Sequence, residues 1–485
     1  MPTPTHEHRR LSRPRVRPFI RRFGRGYVVC APLVSAAIVS GAPRTLPAQA
    51  ASVPTDAAVQ AIIAPRVDAG RHAGIAVGIV TRDGQRRVIA YGPNAGVTPL
   101  DGKTVFEIGS ITKTFTGALL AAMVKRGEVA LDDPVAKYLP SGTVLPTRNG
   151  KVITLLDLAT QSSGLPRLPG NLKPKANDNP YADYTVADMY AFLASYQLTR
   201  DPGAQYDYSN LGFGLLGHAL ALRAGTSFDD AVVSRVLSPL GMRDTRIALT
   251  TSMQQRLAPG HTDGGRRTAN WDLPTLAGAG ALRSTVNDML TYIHASVDST
   301  SKPLGQTLVL ATAERRPASS RSSIGLAWNR VKSPSGQTIV WHNGGTGGYR
   351  TFTGYNAATG VGVVVLSNTA NSVDEIGLHL LDASIPMPPI PKARKEIVLS
   401  ATTLERYPGV FELAPTFTLT VTRDGTRLFA QATAQGMFEI FAEAEDEFFA
   451  KVADVQLTFT KDASGAVTGI VLHQGGQNIP GRRRP

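Results

Sequence analysis

Strand-type runs open one long stretch of this chain and close it again, and that placement constrains the fold more than any other feature. Gly74–Val80 and Arg87–Tyr91 flank Asp83-Gly84, a dipeptide suited to a tight hairpin turn. Two more such runs, Gln337–Trp341 and Gly362–Leu366, return far downstream. The interval is helical in character. From Ser110 onward Phe115, Leu119, Ala122 and Met123 recur on one helical face, with Gly127 as a stop. Residues 150–300 mix helices with loops rich in Pro, Gly and Asn. Strands distant in sequence can share one sheet, and the helices between them then pack on its faces. The expected class is α/β of the α+β kind: an antiparallel sheet flanked by helices, with a helical subdomain inserted between its ends.

Ile385-Pro386-Met387-Pro388-Pro389-Ile390-Pro391 is a stiff stretch and marks a linker over 386–399. Beyond it, residues 400–485 read as all-β. Phe417, Leu419 and Val421 alternate, Asp424-Gly425 turns, and Leu428, Ala430 and Ala432 alternate back. A small antiparallel barrel or sandwich is expected there, after a main domain over 51–385.

Residues 1–50 read as an export signal. Nine arginines against the single acid Glu7 lead to the apolar run Tyr27–Val39, and Ala48-Gln49-Ala50 is a small-x-small cleavage pattern. The expected location is therefore secreted, in the periplasm after cleavage near Ala50. The only cysteine, Cys30, would leave with the signal, excluding disulfides, thiolate catalysis and Cys-based metal sites in the mature chain. More than half of the +14 formal charge sits in this segment, and another three positive charges form the Arg482-Arg483-Arg484 tail. No basic cluster suited to nucleic acid remains in the body. With 42% apolar and 18% charged residues, the chain is expected to fold around a sizeable core.

Three short motifs carry chemistry. In Gly109-Ser110-Ile111-Thr112-Lys113, the Ser-x-x-Lys spacing puts Ser110 and Lys113 on one face at a helix start, where free N–H groups favour developing negative charge. A serine hydroxyl needs a base, and lysine serves only when burial or a nearby cation lowers its pKa. Ser299-Thr300-Ser301-Lys302 has the same spacing in a Ser/Thr-rich loop before Pro303 and serves as a control. In Tyr208-Ser209-Asn210, a phenol can relay a proton and an amide can hold a lysine or a substrate carbonyl; a turn with Asn210 as a helix cap fits the same residues. Trp341-His342-Asn343-Gly344-Gly345-Thr346-Gly347-Gly348 places glycines after a strand, where backbone can approach a ligand and offer N–H groups to a carbonyl.

In this order, residues 70–370 resemble the serine β-lactamase and penicillin-binding superfamily, on the branch of the class C β-lactamases and small DD-peptidases. Leu131-Asp132-Asp133-Pro134-Val135, Ser163-Gly164-Leu165, Pro239-Leu240-Gly241-Met242 and Gly325-Leu326-Ala327-Trp328 match as well. The resemblance implies that Ser110 is acylated and that Lys113 and Tyr208 shuttle its proton, either one being the base. It implies that Asn210 positions lysine and substrate, that Ser110 and Gly345 N–H groups form an oxyanion hole, and that His342, Asn343 and Gly344 bind substrate. His342 stands where class C β-lactamases carry a lysine, so a carboxylate anchor there would require a protonated histidine, with a pKa near 6.5 if unperturbed. The expected substrates are D-Ala-type peptides and peptidoglycan, with β-lactams and esters as alternatives. A class C β-lactamase proper, a carboxylesterase and a penicillin-acylated sensor remain open. No cofactor, metal, nucleic acid or obligate protein partner is expected, and the C-terminal barrel carries no catalytic role.

Overall fold

The strands from the two ends of the main region pair with each other. The computed structural model describes residues 53–484 apart from 93–98, 299–303, 391–393, 416, 434–435, 452–454 and 475–476. The signal segment and the control pair Ser299/Lys302 lie outside the described residues. In chain order the described strands before residue 370 are β1 (Ile75–Val80), β2 (Arg86–Tyr91), β3 (Val105–Glu107), β4 (Arg283–Thr285) and β5 (Arg316–Ser319). They continue with β6 (Ser322–Ile324), β7 (Asn329–Lys332), β8 (Thr338–Gly345), β9 (Arg350–Asn356) and β10 (Gly362–Ser367). Eight of them form one antiparallel sheet in the order β2-β1-β10-β9-β8-β7-β6-β5, with β1 against β10 through Val77↔Val365. β3 and β4 pair separately.

β1 and β10 are buried at every position. The pleat explains how: alternate side chains enter two different cores. Ala76, Val80, Val364 and Leu366 join Val286, Leu290 and Ile293 of the helix Val286–Val297. Val77, Ile79, Val363 and Val365 join Val59 and Ile63 of the helix Asp56–Asp68, and Ile376 and Leu380 of Asp374–Leu381. Gly78 lets one of these helices approach, since a Cβ there would lie 2.5 Å from Val286 Cγ1.

The helix Thr112–Lys125 differs from its sequence reading. It is buried on all sides from Thr112 to Met123, with no solvent face. Its polar positions are met by the backbone of 278–282: Thr116 Oγ1 donates to Gly278 O (2.7 Å) and Leu282 N to Thr112 Oγ1 (3.1 Å). A polar residue can stay in such a core only when so paired.

From Gly409–Ala414 to Gln477–Arg483 eight antiparallel strands close into a barrel. Closure runs through Phe411↔Arg483, and Tyr407, Phe411, Phe448, Leu457 and Phe459 fill the interior. This part is a barrel and not a sandwich. Among the described residues no helix is long and apolar enough to cross a membrane.

The segment Ala277–Gly280 meets the helix Asn210–Ala224 backbone to backbone. A Cβ on Gly278 would lie 2.8 Å from Phe213 O and 2.9 Å from Gly217 Cα. Gly278→Ala is therefore expected to lose about 1–3 kcal/mol of stability, as overpacking does. Urea denaturation of the purified variant measures it.

Candidate functional site

Ser110 lies in a single 3₁₀ turn, Gly109–Ile111, that runs into the buried helix Thr112–Lys125. Gly109 has φ +51°, and a Cβ there would lie 2.6 Å from Gly345 N. Only glycine permits that conformation and that closeness, so the turn bearing Ser110 sits directly against the end of β8. Thr351 Oγ1 donates to Ile108 O (2.9 Å) and holds the same junction from the other side.

Lys113 is fully buried, and no carboxylate lies within ion-pair distance of it among the described residues. Its Nζ is 2.8 Å from Asn210 Oδ1, 2.7 Å from Ala279 O and 3.0 Å from Ser110 Oγ. Burial, then the Arg167 charge, holds its pKa well below the usual lysine range. A neutral amine satisfies all three contacts. Its two N–H bonds donate to the two carbonyl-type oxygens, and its lone pair accepts the Ser110 hydroxyl proton.

Tyr208 lies beside this group, with Lys113 Nζ 4.8 Å from its ring centre. Burial pushes the phenol up, against a hydrogen bond to Ser110 and the Arg167 charge, so it keeps its proton at neutral pH. Asn210 is the first residue of its helix and not its cap. Ser209 is the cap, accepting from Gly212 N (2.8 Å) and donating to Pro166 O (2.6 Å). Asn210 N in turn donates to Arg167 O (2.9 Å), and Ser209 N to Gln161 Oε1 (2.8 Å). The segment 161–167 is thereby laced to the Tyr208–Asn210 corner.

β8 supplies the opposite wall. β7 pairs with it only as far as Asn329↔Trp341, whereas β9 follows it to Gly345↔Arg350. From His342 to Gly345 the β7 side of the strand is thus open, and the Ser110 turn faces β8 at Gly344 and Gly345. A Cβ on Gly344 would lie 1.9 Å from Ile108 O. An open strand edge beside a hydroxyl and an amine can hold an extended peptide while its carbonyl is attacked.

His342 requires a correction. It is 2% exposed, and its Nδ1 lies 2.6 Å from Asn343 O, a carbonyl that can only accept, so Nδ1 carries the proton. Burial, then the nearby Lys113, pulls its pKa down to about 3. Both influences weigh against a protonated His342 anchoring a carboxylate near neutrality. Asn343 donates through Nδ2 to Asp374 Oδ2 (2.5 Å).

The cleft between these walls measures about 450 Å³. Besides the residues expected from sequence it is bordered by Arg167, Tyr181, Trp271 and Arg350, and by no carboxylate. Tyr181 and Trp271 meet edge to face at 5.1 Å, and Trp271 N donates to Glu107 Oε1 (2.9 Å). Sequence reasoning missed all four. Arg167 lies two residues beyond Ser163-Gly164-Leu165, after Pro166, and was within reach; Tyr181 and Trp271 stand in loops without a motif. A roomier groove of about 650 Å³ runs along β5–β7, where no base converges on a hydroxyl. Among the described residues no group of three His, Cys, Asp or Glu could hold a metal ion.

Comparison with known proteins agrees with this geometry. The Beta-lactamase family profile matches residues 59–385, and a domain of unknown function, DUF3471, matches 393–483. The D-alanyl-D-alanine-carboxypeptidase/endopeptidase AmpH of Escherichia coli is 31% identical over 307 residues, 59% of this chain and 78% of that protein. A β-lactamase of the same organism is 28% identical over 347 residues, 64% of this chain and 88% of that one. The crystal structure of a β-lactamase/D-alanine carboxypeptidase from Yersinia pestis superposes with a TM-score of 0.58 over 68% of this chain and 99% of its own. At 23% identity it shares the fold.

The neutral state of His342 can be checked directly. Its ring signal, assigned by its loss in His342→Gln, is expected to stay unshifted in an NMR titration from about pH 5 to 8. A midpoint near 6.5 would restore the protonated reading.

Proposed function

The chain belongs to the Beta-lactamase family, and from that premise we propose that it is an exported serine hydrolase that forms an acyl-enzyme on Ser110 and cleaves amide bonds of D-Ala-type peptides, in the manner of a DD-carboxypeptidase or endopeptidase. The observation that carries the reading is the buried Lys113 amine, 3.0 Å from Ser110 Oγ and surrounded by acceptors on its other sides.

The steps follow from that arrangement. Lys113 takes the Ser110 proton as Oγ bonds to the substrate carbonyl carbon. The carbonyl oxygen becomes an oxyanion, met by the N–H groups of Ser110 and Gly345. When the C–N bond breaks, Tyr208 gives its proton to the departing amine and regains one from the Lys113 ammonium. Water then repeats the sequence on the ester, releasing the acid and restoring Ser110. The electrostatics favour Lys113 as base and Tyr208 as acid, because the amine is biased toward its neutral form and the phenol toward its protonated form.

The substrate class rests on charge and location. Arg167 and Arg350 border the cleft and no carboxylate does, which suits a substrate ending in a carboxylate. With His342 neutral, Arg167 is the exposed permanent cation that takes over this anchoring. The N-terminal segment would deliver the enzyme to the periplasm, where peptidoglycan supplies D-Ala-terminated peptides. A class C β-lactamase is the second reading, favoured by the β-lactamase relative.

A fluorophosphonate or fluorescent penicillin is expected to label Ser110, and folded Ser110→Ala to lose the label. Lys113→Ala is expected to lower turnover by about two to four orders of magnitude. Rapid nitrocefin turnover without hydrolysis of D-Ala-D-Ala peptides would favour the second reading. Arg167→Ala is expected to raise KM for a carboxylate-bearing peptide roughly tenfold, as loss of one charged hydrogen-bonding partner does, and to leave a neutral ester unaffected. The same change removes a cation that lowers the Lys113 pKa. The acid limb of kcat/KM, where Lys113 becomes protonated and inactive, should therefore move to higher pH.

A further inference from the structure

The glycine-rich turn after β8 needs an external brace. Gly344, Gly345, Gly347 and Gly348 give it little stiffness of its own, yet an oxyanion donor works only when held in place beforehand. Three contacts hold it. Arg350 Nη1 donates to Thr346 O (2.7 Å) and Tyr349 O (2.9 Å). Trp271 closes over Gly347, where a Cβ would lie 2.9 Å from Nε1. The third contact is the hairpin 261–267, in which Thr262 N donates to Arg266 O (2.7 Å). At its base His261 N donates to Gly348 O (3.2 Å), and Gly260 and Gly348 touch so closely that a Cβ on Gly348 would lie 2.7 Å from Gly260 Cα.

The other side of that hairpin is the barrel. Arg266 pairs with Glu439 on the barrel strand Phe438–Ala442. The Glu439 side chain is only 4% exposed. Gly264 lies flat on the same strand, where a Cβ would be 2.6 Å from Phe441 Cζ. Lys451 covers Phe441 with its Nζ 3.9 Å from the ring centre, 3.5 Å from Gly264 O and 2.8 Å from Glu396. Mere attachment of two domains would be served by apolar contact, because a buried carboxylate carries a desolvation penalty that its partner only offsets. What such a pair adds is a fixed register between the two surfaces.

We propose that Glu439 is a positioning residue for the hydrolytic site: through Arg266 and the hairpin 261–267 it fixes the turn Thr346–Tyr349 and thereby the Gly345 N–H. The proposal rests on the reading of Ser110 as nucleophile and Gly345 as oxyanion donor. It gives the barrel a part in turnover although it holds no reacting group.

The test uses the full-length protein. Active sites are counted by fluorophosphonate titration, and kcat/KM per labelled site is measured with an activated neutral ester for wild type, Glu439→Gln, Arg266→Gln and the double variant. Affinity for an aryl boronic acid, which forms a tetrahedral serine adduct, is measured in parallel. Each single change is expected to lower kcat/KM per site roughly tenfold, short of the ~10²-fold that a 1 Å misplacement costs. KM should hardly change, boronate affinity should fall by the same factor, and the double variant should be no worse than either single. Lys451→Met supplies a milder second perturbation should Glu439→Gln fail to fold. Arg427→Gln, in a hairpin elsewhere on the barrel, should leave the rate unchanged. Wild-type kcat/KM per site and boronate affinity in the folded variants, with only the melting temperature lowered, would overturn the proposal. Absence of label on wild-type Ser110 would instead overturn the underlying reading of the site.

Discussion

A buried lysine amine with no carboxylate paired to it among the described residues is the constraint around which the hydrolytic half is arranged. An ammonium in that position would be strongly disfavoured, so the surroundings must accept an amine and no more. They do so with two oxygens that cannot donate, Asn210 Oδ1 and Ala279 O, and one hydroxyl that can, Ser110. Each comes from a different part of the chain. The helix Thr112–Lys125 therefore has to run through the middle of the protein, buried on every side, and the helical insert has to bring the 210 and 279 regions to it.

The same burial dictates how close the sheet must come. Ser110 is useful only beside an open strand edge, and β8 offers one because β7 stops pairing at Trp341. Gly109 and Gly344 remove the side chains that would otherwise keep turn and strand apart. The glycines that permit this approach also soften the turn beyond it, which is why Arg350, Trp271 and the hairpin 261–267 converge there. Close approach and stiffness are opposing demands on one backbone, and the structure meets the second from outside the strand.

Much of this was legible in the sequence. β1 and β10 are apolar runs because both of their faces are covered, and Asp83-Gly84 marked the hairpin between β1 and the partly exposed edge strand β2. Ser110, Lys113, Tyr208 and Asn210 were found because their spacing and order are a chemical pattern, and the structure brings them together. β5 to β7 were not legible: they are short, and their partly exposed residues give no apolar period. β9 was hidden because it begins at once after a glycine-rich turn. The helix Thr112–Lys125 was read as having one apolar face because Thr112, Lys113 and Thr116 look like surface residues until their backbone partners, contributed from far along the chain, are known. Tyr181 and Trp271 border the cleft from loops, where local pattern carries no information about spatial neighbours.

His342 is the case in which residue identity misled and environment decided. As a free side chain it would titrate near neutrality and could stand in for a lysine. In place, it is buried beside Lys113, and each of these opposes a charge on its ring. A neutral imidazole fills the strand position and donates to Asn343 O. The permanent charge then lies farther out, where a substrate carboxylate can reach it. Arg167 meets that requirement: it is exposed, its guanidinium lies 5.0 Å from the Tyr208 ring centre, and it lowers the Lys113 pKa less than burial does. A cation on the rim can thus reach a substrate carboxylate while adding to the bias of Lys113 toward its neutral form, the larger part of which burial supplies.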